Sequence, residues 1–591
     1  MAILDEDTIG SVTPSKIPPL GMERTVIRNM DEHGRMPARK SGLMRTRVHG
    51  HIALLLAFAL SSCAFKNKDA DLVIHNARII SLDPEGHEYQ AMAIKDGRIV
   101  ELGPERLILN GYSAKESYDA AGRMVYPGFI DGHCHFFGYG LNKQKADLSG
   151  TGSWNEVIDR VMAFARTRRD TGWILGRGWD QNDWADHAMP DNILLNERFP
   201  DRPVLLQRVD GHAAVVNQVA LDRVGLNAGS VIAGGLLEVK DGKPTGLLVD
   251  NAVDVFQKIF DDADEKTKRR ALLEAQNDCF AKGLTMVCDA GLDAGTIELI
   301  KHMQDEGALK IRVYAMVADK PGNLAHFAEH GAISTDRLWV RCVKVYGDGA
   351  LGSRGALLKQ PYNDAANGYH GLLLQTPEHL RDVARWCLDH DFQMATHCIG
   401  DSADRFLLDV YAEVLKGTND KRWRIEHAQC MDPADLHLFA DNSIIPSVQP
   451  THLLSDAPWA IDRIGPERFK TAYAWNSLRK QMGIVALGTD FPVEAIDPLA
   501  TYYAATVRKY RDGTAIAGSP MSEALSRKDA LLGMTLWNAL ASFTENELGS
   551  IEVGKRADFT VVDRDLLTAD EQGLRKAKVL ATFVNGERVT P

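Results

Sequence analysis

A chain of 591 residues with 45 % hydrophobic and 25 % charged residues has a globular composition, and its 50 Gly and 23 Pro are too few for a collagen-like or low-complexity chain. Its 68 Lys and Arg against 80 Asp and Glu leave a net charge of −12 with no clustered basic run. That excludes nucleic acid as the expected partner, because phosphate binding is driven by grouped Lys and Arg that release counterions.

Residues 1–43 mix charge, Pro and Gly without periodicity and are expected to be a non-structural extension, with Met44 the expected true start. Arg45 and Arg47 then precede an apolar run over 52–60, followed by Ser61, Ser62 and Cys63. A basic start, a short apolar stretch and small residues describe an export signal, and the run is far shorter than the roughly 20 residues that span a bilayer. Leu60-Ser61-Ser62-Cys63 resembles a bacterial lipobox. The resemblance implies cleavage within 44–63 and a lipid on Cys63 that tethers an exported chain to a membrane surface, facing the periplasm, as its one membrane attachment. The other seven Cys sit at irregular spacings that do not form a disulfide framework, and Cys134, Cys288, Cys342 and Cys398 read as small core residues.

Beyond the signal, β-type runs over 71–80, 91–100 and 118–124 are joined by turn residues such as Asp96-Gly97 and suggest hairpins of an antiparallel sheet. The runs over 559–563 and 579–586, the second ending in Asn585-Gly586, look alike. Neither end can build a core alone, so residues 70–125 and 545–591 are expected to form one composite β-sandwich. Between them, apolar runs alternate with amphipathic helical stretches. Eight barrel strands are read at 125–133, 285–289, 311–317, 340–346, 393–397, 422–427, 444–449 and 485–490, which predicts an α/β fold with a (β/α)8 TIM barrel over 126–544. The long interval after the first strand is too large for a structureless loop and is expected to hold an inserted subdomain over about 140–280.

Five of these strands carry metal-type ligands near their C-terminal ends, the face where barrel enzymes build their sites. The first ends in His133-Cys134-His135, the fourth carries Lys344, the fifth and sixth end at His397 and His427, and the eighth ends at Asp490. Residues two apart in a strand point the same way, so His133 and His135 can face one ion while Cys134 turns away. Imidazole and carboxylate suit zinc, manganese or iron, and hydrolysis needs an open position for water.

The segments Pro127-Gly-Phe-Ile-Asp-Gly-His-Cys-His135, Ala395-Thr-His-Cys-Ile-Gly-Asp401, Arg424-Ile-Glu-His-Ala-Gln429 and Leu487-Gly-Thr-Asp-Phe-Pro492 resemble the strand motifs of the amidohydrolase superfamily. Val343-Lys-Val-Tyr-Gly-Asp-Gly-Ala-Leu-Gly-Ser-Arg354 is similar to the branch of N-substituted formamide deformylase-like hydrolases. The resemblance implies that His133, His135 and Asp490 hold one divalent ion and His397 and His427 a second, zinc being the expected metal. It also implies that Lys344, carboxylated to a carbamate, bridges the two; with Lys344 unmodified, one ion is expected.

The function read from this is hydrolysis of a C–N bond in a small amide or formamide by metal-activated water, with Asp490 as general base and acid. His212 is a candidate to reach the substrate carbonyl from the insertion. Arg354 is a candidate for a substrate carboxylate, with a pairing to Asp348 in its own loop as the alternative, and Trp179 and Trp184 are candidates for the mouth. A deaminase of cyclic amidines on the same scaffold and a non-catalytic, lipid-tethered binding protein are the competing readings. A homodimer is the default expectation for the assembly.

Overall fold

The computed structural model describes residues 68–590 apart from 168–171, 257–258, 260–262 and 366–367, so the expected extension, the signal segment and Cys63 lie outside the described residues. Eight strands run parallel and in chain order: Phe129–Cys134, Leu284–Leu292, Arg312–Ala318, Leu338–Tyr346, Gln393–Cys398, Arg424–His427, Ile445–Val448 and Ala486–Leu487. Several are buried along their whole length, Arg312–Ala318 among them, as strands covered on both faces must be. The ring closes because Gly488 N donates to Val448 O at 3.0 Å, Asp490 N to His133 O at 2.8 Å and His135 N to Phe491 O at 2.8 Å. Asp131 fastens the same seam, accepting from Thr489 Oγ1 at 2.7 Å, Thr489 N at 3.0 Å and His133 N at 3.2 Å. The structure is the expected (β/α)8 barrel.

The run read as one strand over 125–133 is two. Met124–Pro127 pairs with Arg78–Ile80 and Phe559–Val562 in a terminal sheet, and Phe129–Cys134 enters the barrel. Gly128 is the joint, its N–H donating to Asp558 O at 2.9 Å. The two chain ends build two sheets, one of four strands and one of six, around Ile74, Ile79, Met92, Ile94, Val125, Phe559 and Phe583. Their pairing is mixed rather than purely antiparallel. Lys68–His75 runs parallel to Tyr112–Asp119, and the helix Glu105–Gly111 leads into that second strand.

The interval after the first barrel strand holds a six-stranded sheet between Ala146 and Asp250, with its own apolar core around Trp179, Trp184, Leu206 and Val215. It ends earlier than expected. The helix Glu265–Ala281, amphipathic with Ala271, Leu272, Ala275, Cys279 and Phe280 buried, packs into the barrel core. All seven cysteines of the described residues are free and buried. No helix among the described residues is long and apolar enough to cross a membrane.

Candidate metal centre

Period-two alternation sends His133 inward at the end of the first barrel strand, and Cys134 outward against Cys288 O. His133 has no solvent exposure; its Nδ1 lies 2.5 Å from Glu426 Oε2, so that nitrogen donates and Nε2 is left with its lone pair. His135 Nδ1 likewise donates to Ala290 O at 3.1 Å. The two freed Nε2 atoms converge on Asp490 Oδ1, 3.6 Å from His133 and 3.3 Å from His135. Lys344 Nζ stands 3.3 Å from His133 Nε2, and Tyr346, two residues further along its strand, presents its ring 5.0 Å from that nitrogen.

His427, at the end of its strand, and Asp490, just beyond the strand Ala486–Leu487, have φ +77° and +60°, left-handed conformations that non-glycine residues rarely adopt. Such strain persists where surrounding structure over-determines it, and here it turns both side chains into the barrel mouth. The His427 ring lies 5.1 Å from that of His133 and 4.5 Å from that of His397. His397 Nε2 meets Gly349 O at 3.5 Å.

The compact donor sets are His133–His135–Asp490 and His427–His452–Asp490, each with its ligand atoms within 4.8 Å of one another. His452 was not named by the sequence motifs. It sits near the start of the helix Thr451–Phe469 that follows the seventh strand, with Nε2 3.3 Å from Asp490 Oδ2. The fit to a metal rests on buried atoms without a hydrogen bond: His427 Nδ1 has none, and His452 Nε2 and Asp490 Oδ1 have only ion-pair contacts, at 3.3 Å or more. Burying polar atoms in this way is costly unless something satisfies them, and imidazole nitrogen with carboxylate oxygen is the donor set of zinc, manganese and iron sites.

The local electrostatics hold His133, His397 and His427 neutral, the ligating form of imidazole, whereas at His452 burial is outweighed by the Asp490 carboxylate, which raises the ring to about 9. Burial, aided by the Lys344 charge, pushes His133 down to about 4, and burial puts His397 and His427 well below the usual imidazole range. Burial also lowers Lys344. Asp490 resists the upward push of burial because His135 and His452 favour its anion, and its carboxyl lies well below the ordinary value. Glu426 does the same, with Arg424 as its counterion and the His133 ring as a hydrogen-bond donor.

These groups open into a cavity of about 1140 Å³ between the barrel mouth and the inserted sheet. His212 is part of its wall; its Nδ1 is 2.9 Å from Asp250 Oδ1 and its ring is 5.1 Å from that of His397. Burial opposes the charged ring, but Asp250 outweighs it and raises the pKa. Gly349 is needed where the Lys344 loop passes Asp250, since a Cβ there would come 2.6 Å from Asp250 Oδ1.

The other sequence candidates sit elsewhere. Arg354 pairs with Asp364, at 2.9 and 3.2 Å, not with Asp348, and is not in the cavity wall. Asp348 is fully buried and accepts from the backbone N–H groups of Leu357, Ile399 and Gly400, so it fastens the loop beneath His397. Trp179 is fully buried in the inserted sheet, its indole N–H donating to Leu206 O, and Trp184 packs against it at 6.1 Å. Neither Trp lines the mouth.

A (β/α)8 barrel with imidazoles and a carboxylate gathered at the C-terminal ends of its strands defines a metal-dependent hydrolase acting on a small molecule. The chain belongs to the amidohydrolase family, whose pattern it matches over residues 116–590. It is 32 % identical over 541 residues to Protein LONG AFTER FAR-RED 3 of Arabidopsis thaliana, covering 88 % of this chain and 92 % of that one. It is 31 % identical to the putative amidohydrolase YtcJ of Bacillus subtilis, over 87 % and 98 % of the two chains. N-substituted formamide deformylase of Arthrobacter pascens is 27 % identical over 87 % of this chain and 97 % of its own. Among solved structures, an uncharacterized metal-dependent hydrolase from Pyrococcus horikoshii superposes with a TM-score of 0.70 at 26 % identity, covering 85 % of this chain and 99 % of that one.

Proposed function

We propose that the protein hydrolyses the C–N bond of a small amide or formamide. The observation that carries this reading is the convergence of His133, His135, His427 and His452 on the Asp490 carboxylate, with three of their polar atoms buried without a hydrogen bond and Lys344 Nζ beside His133, at a cavity of about 1140 Å³. The formamide deformylase of Arthrobacter pascens, similar over nearly its full length, supports the choice of bond.

His133, His135 and Asp490 would hold one divalent ion and His427, His452 and Asp490 a second, with zinc as the preferred metal and a carboxylated Lys344 as a further anionic ligand. Bound there, such ions acidify water and polarise a carbonyl. Asp490 is the proton carrier: its carboxylate takes the proton of the attacking water and hands it to the leaving nitrogen. Asp250 fixes the His212 ring at the opposite wall, where it meets the substrate carbonyl.

Metal analysis of the purified protein should find one or two tightly bound divalent ions. Dialysis against a chelator should stop turnover of an amide and formamide panel, and zinc or manganese should restore it. A His133→Ala/His135→Ala variant that retains both metal and turnover would refute the reading. The lipobox-like segment ending at Cys63 supports a tethered, exported enzyme. Cys63→Ala should shift the protein from the membrane to the soluble fraction on cell fractionation, and an unchanged distribution counts against the tether.

A further inference from the structure

We propose that Arg177, on the inserted sheet, is the subsite for a substrate carboxylate, so that the preferred amides are those carrying one, N-acyl and N-formyl amino acids foremost. The inference rests on the amide reading above and narrows it. Arg177 lies in the strand Ile174–Trp179 and forms part of the wall of the cavity that also holds His135, Lys344 and Asp490.

Its guanidinium has no carboxylate partner. Nη1 donates to Gln207 Oε1 and Nη2 to Val209 O, both at 2.9 Å, while Nε is buried with no partner. Of five N–H donors two are taken and one is inaccessible, which leaves one on each terminal nitrogen. That pair matches the two oxygens of a carboxylate. A cation held in a wall by neutral acceptors keeps its charge available, and burial of a charge is unfavourable until an opposite charge arrives.

The two acids whose charge reaches it, Asp210 and Asp490, do not fill this role: Asp210 is taken by Arg208, and Asp490 is engaged by His135 and His452. Arg208, fully buried, takes Asp180 and Asp210 together. Asp250 faces His212, and Asp293 faces Lys320. The location also suits the chemistry. The turn Asp210-Gly211-His212 passes over the guanidinium, since a Cβ on Gly211 would stand 3.4 Å from Arg177 Nη2, and the next residue of that turn places its ring 5.1 Å from His397. A carboxylate on Arg177 therefore sits one turn away from the wall that faces the scissile carbonyl. Arg354, the arginine singled out by the strand motif, is neutralised by Asp364 and cannot serve.

The test uses a matched pair, N-formylphenylalanine and N-formylphenethylamine, which differ by the carboxylate alone. Isothermal titration of the metal-free full-length protein should show the first binding about 10- to 100-fold more tightly, as a charged hydrogen-bonded pair implies. In Arg177→Gln that ratio should fall towards unity, and in Arg177→Lys, which keeps the charge but not the fork, to an intermediate value. The kcat/KM ratio of the metal-loaded enzyme should follow the same order. Equal binding of the two compounds by the wild-type protein, no binding of either, or a preference that survives unchanged in both variants overturns the proposal. If Arg177→Gln does not fold, the Arg177→Lys ratio and the wild-type ratio decide. Absence of turnover with carboxylate-selective binding intact would instead refute the amide reading and leave the subsite standing.

Discussion

Glu426 has no contact with solvent and faces two partners at once: the Arg424 guanidinium at 2.6 and 3.0 Å and His133 Nδ1 at 2.5 Å. The first neutralises its charge, and the second lets it fix which nitrogen of His133 keeps a lone pair for a metal. Glu426→Gln preserves the shape but loses the anion, and should weaken metal binding about 10- to 100-fold. Competition against a chelating dye, on protein whose circular dichroism matches the wild type, reads this directly, and an unchanged affinity would remove Glu426 from the centre. A different buried acid sits behind the site. Asp404, in the helix Asp401–Leu415, is fully buried with neither carboxyl oxygen partnered, and burial holds its pKa well above the ordinary 3.8. The folded protein therefore keeps a proton that the unfolded chain releases above that value, so this group's contribution is fully present in acid and declines as pH rises towards the folded pKa. Asp404→Asn, with nothing to release, should gain in melting temperature over the wild type as pH rises from 5 to 8. A difference that stays flat across a melting series in that range would exclude a protonated Asp404.

The strands show which parts of this architecture are legible in a sequence. Local periodicity identified all eight barrel strands, because a strand buried on both faces must be a continuous apolar run. It also placed His133, His135, His397, His427, Lys344 and Asp490 on one face, because strand ends in a parallel barrel share a face by construction. It did not reveal His452, which lies near a helix start with no motif around it, nor the engagement of Arg354 with Asp364, which depends on how the one connection between Tyr346 and Pro377 folds back on itself. The division at Gly128 was hidden because the backbone partners on either side of it, Asp558 for Gly128 and Gly283 for Phe129, are far away in the chain. The last barrel strand is regular only over Ala486–Leu487, because Gly488 brings the backbone against the first strand. A Cβ at Gly488 would come 2.5 Å from His133 N and 2.7 Å from His133 O, both backbone atoms that cannot rotate away. Gly488→Ala should therefore cost about 1–3 kcal/mol of stability and displace His133 and Asp490 together. Denaturant titration measures the first, and metal stoichiometry of the surviving folded fraction the second; a variant with wild-type midpoint and full metal content would show that the closure has slack.

The terminal sheets and the barrel are joined by a buried charge pair across their boundary. Arg312 begins the third barrel strand with no exposure, and Asp558 lies just before the strand Phe559–Val562 of the terminal sheet. Arg312 donates to Asp558 through Nε at 2.6 Å and Nη2 at 2.9 Å, and to Asn585 Oδ1 at 2.6 Å. Asp558 in turn accepts from Asn585 N at 2.8 Å, so the last turn of the chain, the barrel and the sheet meet at one carboxylate. Removing one partner of such a pair strands the other charge in a low-dielectric interior, which costs about 3–5 kcal/mol. Asp558→Ala should therefore destabilise the barrel although the substitution is made in the terminal sheet. Tryptophan fluorescence isolates that effect, because all 10 Trp lie between Trp154 and Trp537 and the two chain ends contain none. If the ends and the barrel fold as one unit, the fluorescence transition of Asp558→Ala should move to lower denaturant in step with the far-ultraviolet circular dichroism. A fluorescence midpoint that stays at the wild-type value while the dichroism changes would mean that the barrel stands without its terminal sheets, and that Arg312 finds enough compensation from the backbone carbonyl of Asp336, 2.7 Å from its Nη1.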